Sequence, residues 1–165
     1  NQIYGYGSDF GYICGGYDDL YGVIDYSTID RITFPFDSGT ATHVGNLSGN
    51  RRSSTANNSS THGYICGGYD GSNYLATINR ITFPFDSGVA SSVGNLSGTR
   101  RELAANNSST HGYICGGYDG SNYLATINRI TFPFDSGVAS SVGNLTEGKM
   151  QLSANDNTDF VTQFI

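Results

Sequence analysis

The sequence predicts an all-β fold built from repeated four-stranded units, and three observations support this prediction. The first is internal repetition, because residues 62–96 recur without a change as residues 111–145, and residues 12–47 form a looser copy with three extra residues. The second is composition, since 23 glycines and 12 tyrosines are typical of short strands joined by tight turns. The third is that no helical periodicity is visible, so the repeat period defines the fold class.

Four strands fit each repeat, and the third copy illustrates them. The expected strands are residues 102–107, 111–115, 124–134 and 138–145. Residues 111–115 end at a Gly-Gly pair, and residues 124–134 are rich in β-branched and aromatic side chains, which favour strands. Turns are expected at Asp119-Gly120 and at Asp135-Ser136-Gly137, because Asp accepts backbone N–H groups and Gly adopts a positive φ.

The distribution of apolar side chains indicates how these sheets pack. The third strand is apolar on both faces, with Ile127 on one face and Ile130 and Phe132 on the other. A sheet needs this pattern when it is packed between two neighbouring sheets. The first strand has small side chains, which fit where sheets converge on an axis. Four strands in the 49 residues that separate Cys66 from Cys115 is the size of one propeller blade.

The repeats divide the chain into five segments. Residues 1–10, with Ile3, Tyr4 and Tyr6, are expected to form a lead-in strand or arm. Residues 11–49, 50–98 and 99–148 are expected to form three blades of a β-propeller. Residues 149–165 are expected to contain a strand that completes a blade, because residues 149–160 align with residues 100–111, where the opening strand of the third repeat begins.

The two ends of the chain are complementary, since the first repeat lacks an opening small-residue strand and the C-terminal segment supplies one. Closed propellers need about four to eight blades, and this chain supplies three. We therefore expect closure by association, in which residues 150–157 of one chain complete the first blade of another and two chains form six blades. The alternative is that the chain is one section of a longer polypeptide whose other blades close the ring.

Charge and hydropathy exclude two classes of partner. The net charge is −6 and only 13% of residues are charged, whereas a protein that binds the phosphate backbone of nucleic acids needs a basic stripe. No stretch approaches the roughly 18–20 apolar residues of a membrane helix. We therefore expect neither nucleic acid nor a membrane as a partner.

The three cysteines recur at one equivalent repeat position, and so do His62 and His111, whereas His43 has no counterpart in the other copies. Recurrence favours structural roles. Equivalent positions in neighbouring repeat units usually lie farther apart in space than the ~7 Å between Cα atoms that a disulfide allows. Cys14, Cys66 and Cys115 are therefore expected to be small buried hydrophobic residues. His62 and His111 have no cysteine or acid at ligand spacing, so a hydrogen-bonded structural histidine is favoured over a zinc site. We expect no metal and no cofactor.

The acidic residues also repeat with the blade. A glycosidase needs two carboxylates facing one sugar bond, whereas the acids here are alike in every copy and are expected to serve turns. They form two sets: Asp18, Asp70 and Asp119, and Asp37, Asp86 and Asp135. The strand arginines Arg31, Arg80 and Arg129 are expected to pair with turn aspartates between blades, because an unpaired buried guanidinium is costly. We expect no catalytic residues and no enzymatic activity.

A candidate ligand or partner face follows from the loop positions. In an up-and-down blade, the loop between the second and third strands lies at the same end as the connection between blades. Tyr, Asn and Arg in exposed loops make adaptable contacts with proteins or sugars. The residues of this face are Tyr69, Asp70, Asn73 and Tyr74 with Arg51 and Arg52, and Tyr118, Asp119, Asn122 and Tyr123 with Arg100 and Arg101. The alternative is that these loops are soluble turns without a partner.

The repeat resembles the kelch-type propeller repeat. The resemblance is carried by an aromatic-aliphatic strand ending in Gly-Gly (YICGG at Tyr12, Tyr64 and Tyr113), by the Tyr-Asp loop that follows, and by late arginines that open the next repeat. The chain has no Trp, and Val-Gly-Asn-Leu replaces the tryptophan of the kelch fourth strand. The sequences IDRITFPFDSG and VGNL are similar to those of kelch-like repeats in structural proteins of tailed bacteriophages.

This resemblance implies a non-enzymatic structural or adhesion repeat module of a larger assembly, with a virion as the expected location: a tail, a fibre or a capsid decoration. The implied partners are copies of the chain itself or other virion proteins. The alternative function is a carbohydrate-binding module for host recognition, with a glycan as the ligand. The expected localisation is the virion or the extracellular space.

Overall fold

The chain folds into an all-β structure. The computed structural model describes residues 9–156, which contain thirteen strands in four antiparallel sheets and no helix. This confirms the predicted class at the level of all-β architecture. Within the described range there is thus no helix long and apolar enough to cross a membrane. The expected lead-in strand or arm at residues 1–8 and the chain after residue 156 lie outside the described residues.

The sheets follow the chain in sequence order. The first sheet has the order β1-β4-β5, with β1 at Phe10–Cys14, β4 at Thr28–Thr33 and β5 at Thr42–Asn46. Between β1 and β4 the chain forms a two-stranded ribbon of β2 (Tyr17–Asp18) and β3 (Ile24–Asp25).

Two further sheets are four-stranded meanders. The second sheet has the order β6-β7-β8-β9, with strands at Thr55–Asn58, His62–Cys66, Thr77–Thr82 and Ser91–Asn95. The third sheet has the order β10-β11-β12-β13, with strands at Ala104–Asn107, His111–Cys115, Thr126–Thr131 and Ser140–Asn144. Four strands per repeat are therefore confirmed in the second and third copies.

The strand ends differ from the prediction in a physically understandable way. The second strand of the third copy matches the expected residues, but β12 spans Thr126–Thr131 rather than residues 124–134. Strand β13 spans Ser140–Asn144 rather than residues 138–145. Pro133 follows, and proline lacks the N–H that the ladder would need, so the sequence itself indicates that this end of the strand is frayed or at an edge. Strand β10 begins at Ala104, two residues later than expected, because Glu102 has a φ of 56° and makes a bend instead.

The Gly-Gly pairs end the second strands by turning the backbone away from the sheet. Gly67 and Gly68 have φ values of 62° and 109°, which residues with a Cβ rarely adopt. A Cβ on Gly67 would lie 2.8 Å from the carbonyl oxygen of Arg100. These glycines therefore allow the strand end to approach the segment that opens the next sheet.

Neighbouring sheets are joined by backbone hydrogen bonds. The amide of Asn46 donates to the carbonyl of Gly88 at 2.9 Å, and the amide of Ala90 donates to Asn46 at 2.7 Å. The same pair of bonds links Asn95 with Gly137 and Ala139, at 2.9 and 2.8 Å. The first sheet is thus attached to the second, and the second to the third, in the same way.

A buried asparagine in the third strand of the second and third sheets adds a side-chain link. Asn79 follows a register shift in β8, and its carboxamide oxygen accepts hydrogen bonds from the amide (2.9 Å) and hydroxyl (3.0 Å) of Ser48. Asn128 makes the equivalent bonds with Ser97. Because Ser48 follows the last strand of the preceding sheet, these bonds fix the relative position of adjacent sheets.

The hydrophobic core consists of two clusters, one on each face of the second sheet. One contains Ile78 with residues that include Ile114 and Ile130 of the third sheet. The other contains Ile81 with residues that include Ile29 and Val44 of the first sheet. The expectation that the third strand is apolar on both faces because its sheet lies between two others is therefore confirmed for β8.

The outer faces of the first and third sheets lack the cover that the inner faces have. In the third sheet Val142 is 44% exposed, whereas its repeat equivalents Val44 and Val93 are 7% and 8% exposed. In the first sheet Ile13 is 52% exposed, whereas its equivalent Ile65 is 3% exposed. The residues described between positions 9 and 156 thus leave two apolar faces open.

The C-terminal segment continues the repeat beyond the third sheet. The amide of Gly117 donates to the carbonyl of Lys149 at 2.7 Å, as that of Gly68 donates to Arg100 at 2.8 Å. Residues 149–156 form no strand in the described part of the chain. The expected pairing of residues 150–157 with another chain stays a prediction, and Asn157 lies outside the described residues.

Candidate functional site

The loops of the expected contact face meet at one end of the sheets. The backbones of Arg52 and Tyr69 exchange hydrogen bonds of 2.9 Å in both directions, and Tyr69 also forms a β-bridge with Tyr74. Arg101 pairs in the same way with Tyr118, which forms a bridge with Tyr123. These bridges place each tyrosine loop beside the segment that opens its sheet.

The tyrosine rings pack against one another across the sheet boundary. The ring centroids of Tyr69 and Tyr74 are 5.2 Å apart with an edge-to-face geometry. Tyr74 of the second repeat contacts Tyr118 of the third at 5.8 Å, and Tyr118 contacts Tyr123 at 5.3 Å. Such aromatic pairs stabilise a surface by roughly 0.5–1.5 kcal/mol each beyond their buried area.

Two guanidinium groups lie between the rings. Arg52 is 4.9 Å from the ring centroid of Tyr17 and 5.1 Å from that of Tyr69. Arg101 is 5.2 Å from Tyr69 and 5.3 Å from Tyr74. These distances allow cation–π attraction. We call the surface formed by these side chains the tyrosine–arginine row; its members are Tyr17, Arg52, Tyr69, Tyr74, Arg101, Tyr118 and Tyr123.

An acidic partner holds one of these arginines in place. Arg52 Nη1 is 3.2 Å from Oδ1 of Asp25, whose side chain is almost fully buried. Asp25 belongs to β3 of the first repeat, so this ion pair ties the ribbon of the first repeat to the start of the second. The row is therefore a continuous surface that extends over all three repeats.

The loop aspartates of the expected face serve as turn residues. Asp70 Oδ1 accepts hydrogen bonds from the amides of Ser72 (2.8 Å) and Asn73 (2.7 Å). Asp119 accepts the equivalent pair from Ser121 and Asn122. The hydrogen bond from the Asn73 amide is the largest influence that lowers the pKa of Asp70 below its ordinary value. These geometries confirm the expectation that Asp70 and Asp119 stabilise turns.

Arg51 and Arg100 are not surface residues, which corrects their placement on the exposed face. Their relative exposures are 2% and 1%. Arg51 Nη1 donates to the carbonyls of Gly67 and Thr77, each at 3.2 Å. Burial lowers the pKa of both guanidinium groups. The two arginines therefore fasten the end of one strand to the start of the next.

The exposed tips of the face are asparagine and tyrosine. Asn73 and Asn122 are exposed, and the ring of Tyr123 is largely accessible, whereas Tyr69, Tyr74 and Tyr118 are half-buried within the row. The structure thus places the expected loop residues together, with a polar tip on each loop and aromatic rings between the loops.

The first repeat contributes an apolar hairpin that sequence reasoning missed. Its extra residues form the β2–β3 ribbon, whose turn exposes Leu20, Tyr21 and Val23. Tyr21 is 98% exposed. The signal in the sequence is the three-residue insertion, which changes the loop DGSNYLAT of the other copies into DDLYGVIDYST.

The strand arginines pair as expected at both sheet boundaries. Arg31 forms a salt bridge with Asp86, and Arg80 forms the equivalent one with Asp135. In each pair the aspartate belongs to the repeat that follows. Arg129 has no acidic partner within residues 9–156.

The cysteines and histidines have structural surroundings. Cys66 is buried as expected, whereas Cys14 and Cys115 are only half-buried. Burial raises the pKa of all three thiols, to about 12 for Cys66 and about 11 for Cys14. Nδ1 of His62 is 2.8 Å from the hydroxyl oxygen of Thr61, and His111 has the same contact with Thr110. Among the described residues, no group of three or more His, Cys, Asp or Glu could hold a metal ion.

Comparison with known proteins gives a fold similarity alone. No family model and no curated protein matches the sequence. The chain is similar to the solved structure of YjhT, with a TM-score of 0.66 and 8% sequence identity over 86% of this chain. It covers 51% of the YjhT chain, so it spans about half the length of that protein.

Proposed function

We propose that the chain is a section of a kelch-like β-propeller, in which the first, second and third sheets are three blades. The support is the repeated geometry of the boundaries between sheets. Each boundary has the same backbone bonds through Asn46 or Asn95, the same buried asparagine, and the same arginine–aspartate pair. A constant rotation from one sheet to the next is what a propeller requires.

In this proposal the chain is a non-enzymatic structural or adhesion module of a larger assembly, and the tyrosine–arginine row is its contact surface. The observation that carries this function is the row itself. Its rings are preorganised by mutual packing, Arg52 is paired with Asp25 and Arg101 Nε lies 3.5 Å from Oε1 of Glu102. A partner would therefore bind with little loss of side-chain freedom. The proposal that this assembly is a virion rests on the similarity between the repeat sequence and those of phage structural proteins.

The first experiment tests the surface and the assembly together. The double variant Asn73→Lys/Asn122→Lys places a long charged side chain on both loop tips. Both asparagines are exposed, and their carboxamides bond only to their own loop aspartates, so the fold should be retained. Quantitative mass spectrometry of purified particles should show at least a tenfold loss of incorporation.

The matched control is Ser87→Lys/Ser136→Lys, which adds the same charge to exposed loops at the opposite end of the sheets. This control should assemble normally. Absence of the unmodified chain from particles would contradict the virion proposal, and equal incorporation of both variants would contradict the contact surface.

The second candidate function is a carbohydrate-binding module for host recognition. The observation that favours it is the exposure of Tyr17 and Tyr123, at 55% and 59%, beside loops rich in Asp, Asn and Ser. Accessible aromatic rings with neighbouring hydrogen-bonding groups suit sugar recognition. A glycan array with the purified chain should then show binding that the Asn73→Lys/Asn122→Lys variant loses and the serine control retains.

A further inference from the structure

We propose that two copies of this chain associate head to tail, with the open face of the third sheet of one copy packed on the open face of the first sheet of the other. Residues 153–156 of each copy then add a fourth strand to β1 of its partner. This inference rests on the propeller section proposed above, and it names the partner. We call the contact between the third sheet of one copy and the first sheet of the other the joint.

The residues on the two open faces are repeat equivalents of residues that pack together at the sheet boundaries within the chain. At the boundary between the first and second sheets, one side presents Tyr12, Ile29, Val44 and Leu47, and the other presents Ile65, Ile81, Phe83, Phe85 and Ala90. The repeat places the first set again on the open face of the third sheet, as Tyr113, Ile127, Val142 and Leu145. It places the second set on the open face of the first sheet, as Ile13, Ile32, Phe34, Phe36 and Ala41.

The exposures of these residues show that both faces lack a packing partner within residues 9–156. Val142, Ile13, Phe34 and Phe36 are exposed, whereas their equivalents within the chain are buried or half-buried against the neighbouring sheet. The two open faces therefore consist of residues that bury one another wherever both sides of the boundary are present. A second copy brings both sides together, because each copy carries one face of each kind.

The polar contacts of the boundary have available partners as well. Arg31 pairs with Asp86 and Arg80 with Asp135, always across a boundary to the following repeat. Arg129 has no acidic partner in the described range. The same geometry brings Arg129 next to Asp37 of the partner subunit, since Asp37 is the repeat equivalent of Asp86.

Among residues 9–156, no strand pairs with the edge of β1 at which the second and third sheets have an inner strand. In the second and third sheets that edge is occupied by β6 and β10, whereas within residues 9–156 β1 pairs only with β4. A cleft of about 540 Å³ lies at this edge. It is lined by Phe10, Tyr12 and Cys14 of β1 and, from the second sheet, by Asn57, Tyr64 and Phe83.

The C-terminal segment already lies at the position of an inner strand. The amide of Gln151 donates to the carbonyl of Glu102 at 2.9 Å, as Glu102 donates to Ser53 at 2.8 Å. The amide of Asn107 bonds to Oδ1 of Asp156 at 2.8 Å, as Asn58 bonds to the side chain of Asn107. In the dimer this segment becomes the inner strand of a sheet whose second strand is β1 of the partner subunit.

The existing pairs fix the register of the added strand. Thr55 and Ala104 lie opposite Cys66 and Cys115, and Asn58 and Asn107 lie opposite Gly63 and Gly112. Transferred along the repeat, this register places Ser153 opposite Cys14 of the partner subunit and Asp156 opposite Gly11 of the partner subunit.

Two copies of the chain supply the number of blades that closes the propeller ring. Each copy supplies three sheets, and propellers close with about four to eight blades, so six is the multiple of three within that range. Two identical joints then cover both open faces of both chains and leave no unpaired edge at β1.

The first test compares two valine variants by light scattering. The intact chain should have twice its mass of 17.6 kDa. Val142→Asp places a charge within the joint and should convert the dimer to monomer. Val138→Asp is the matched control, because Val138 is 63% exposed and its equivalent Val89 stays 64% exposed although its sheet is covered on both sides. A folded monomeric wild-type chain, or equal behaviour of the two variants, would overturn the proposal.

The second test uses the predicted register. Directly opposed residues of antiparallel strands have Cα atoms roughly 4.5–5.5 Å apart, which a disulfide can bridge. Ser153→Cys should therefore give a covalent dimer under mild oxidation, lost when Cys14→Ser is added. Ala154→Cys is the control, because adjacent residues of the added strand would have side chains on opposite faces.

Peptide mapping identifies the sulfur that reacts. A bond between position 153 and Cys14 supports the joint, whereas a bond to Cys115 or no covalent dimer contradicts it. Failure of the joint leaves the loop-tip experiment on assembly unaffected, so the two proposals fail separately.

Discussion

Single residues at the strand ends determine how closely the sheets approach one another. A Cβ on Gly116 would lie 2.4 Å from Cδ1 of Leu152 and 2.8 Å from the carbonyl oxygen of Lys149, and the residue has a φ of 64°. Gly117 has a φ of 103° and lies close to the carbonyl of Arg101. A side chain at either position would meet backbone that cannot withdraw without separating the segments.

We predict that Gly116→Val or Gly117→Val lowers the free energy of unfolding by about 1–3 kcal/mol, which lowers the thermal midpoint by several degrees. Thermal unfolding followed by circular dichroism measures this. Gly98→Val is the control, because a Cβ there has no neighbour within 4 Å. Equal midpoints for all three variants would show that the glycine conformation is not required.

The thiols should be inert in the folded chain, because the thiolate is the reactive form and burial raises the pKa of Cys66 to about 12. We predict slow labelling of the native protein by a maleimide at pH 8, with Cys66 the slowest, and fast labelling of all three cysteines after denaturation. Mass spectrometry of labelled peptides gives the rates. Rapid native labelling of Cys66 would contradict its position in the core.

At the scale of the element, the loop between the second and third strands is ordered by one carboxylate in the second and third repeats. Hydrogen bonds from backbone amides lower the pKa of Asp70 and Asp119. A carboxyl group with a lowered pKa in the folded state stabilises the fold above its unfolded pKa, and this contribution is lost as the pH falls through the folded pKa.

We therefore predict that Asp70→Ala/Asp119→Ala lowers the thermal midpoint at pH 7, and that the difference from the wild type decreases below pH about 4, where an unperturbed Asp begins to protonate. The control Ser72→Ala/Ser121→Ala retains the backbone amides and should have little effect at any pH. A difference that is constant between pH 7 and pH 3 would mean that the carboxylates do not stabilise the turns.

The elements also show how much the sequence could predict. Local sequence patterns predict strand β11, the turn aspartates and the arginine–aspartate pairs, because turn residues and repeat spacing can be identified in the sequence. The burial of Arg51 and Arg100 does not, since arginine is usually exposed and its acceptors here are backbone carbonyls. Likewise the hairpin with Leu20 and Tyr21 is visible only as an insertion.

Over the whole molecule, the repeat predicts the sheets and their order, and the two open faces emerge only from the structure. Burial depends on whether a second sheet packs against the residue, so identical residues in equivalent repeat positions differ in exposure. Val93 and Val142 stand in the same sequence, yet only Val93 has a sheet beside it. Sequence alone therefore could not show which faces are uncovered.

The identity of residues 62–96 and 111–145 also has a consequence for folding. Strand β6 would find the same partner sequence in β11 as in β7, with the same hydrogen bonds and the same side chains. What favours β7 is the short connection at residues 59–61. Closing a loop that contains a whole repeat instead costs on the order of 2–3 kcal/mol more in chain entropy. Correct pairing therefore depends on connection length rather than on recognition between side chains, and misregistered intermediates compete during refolding.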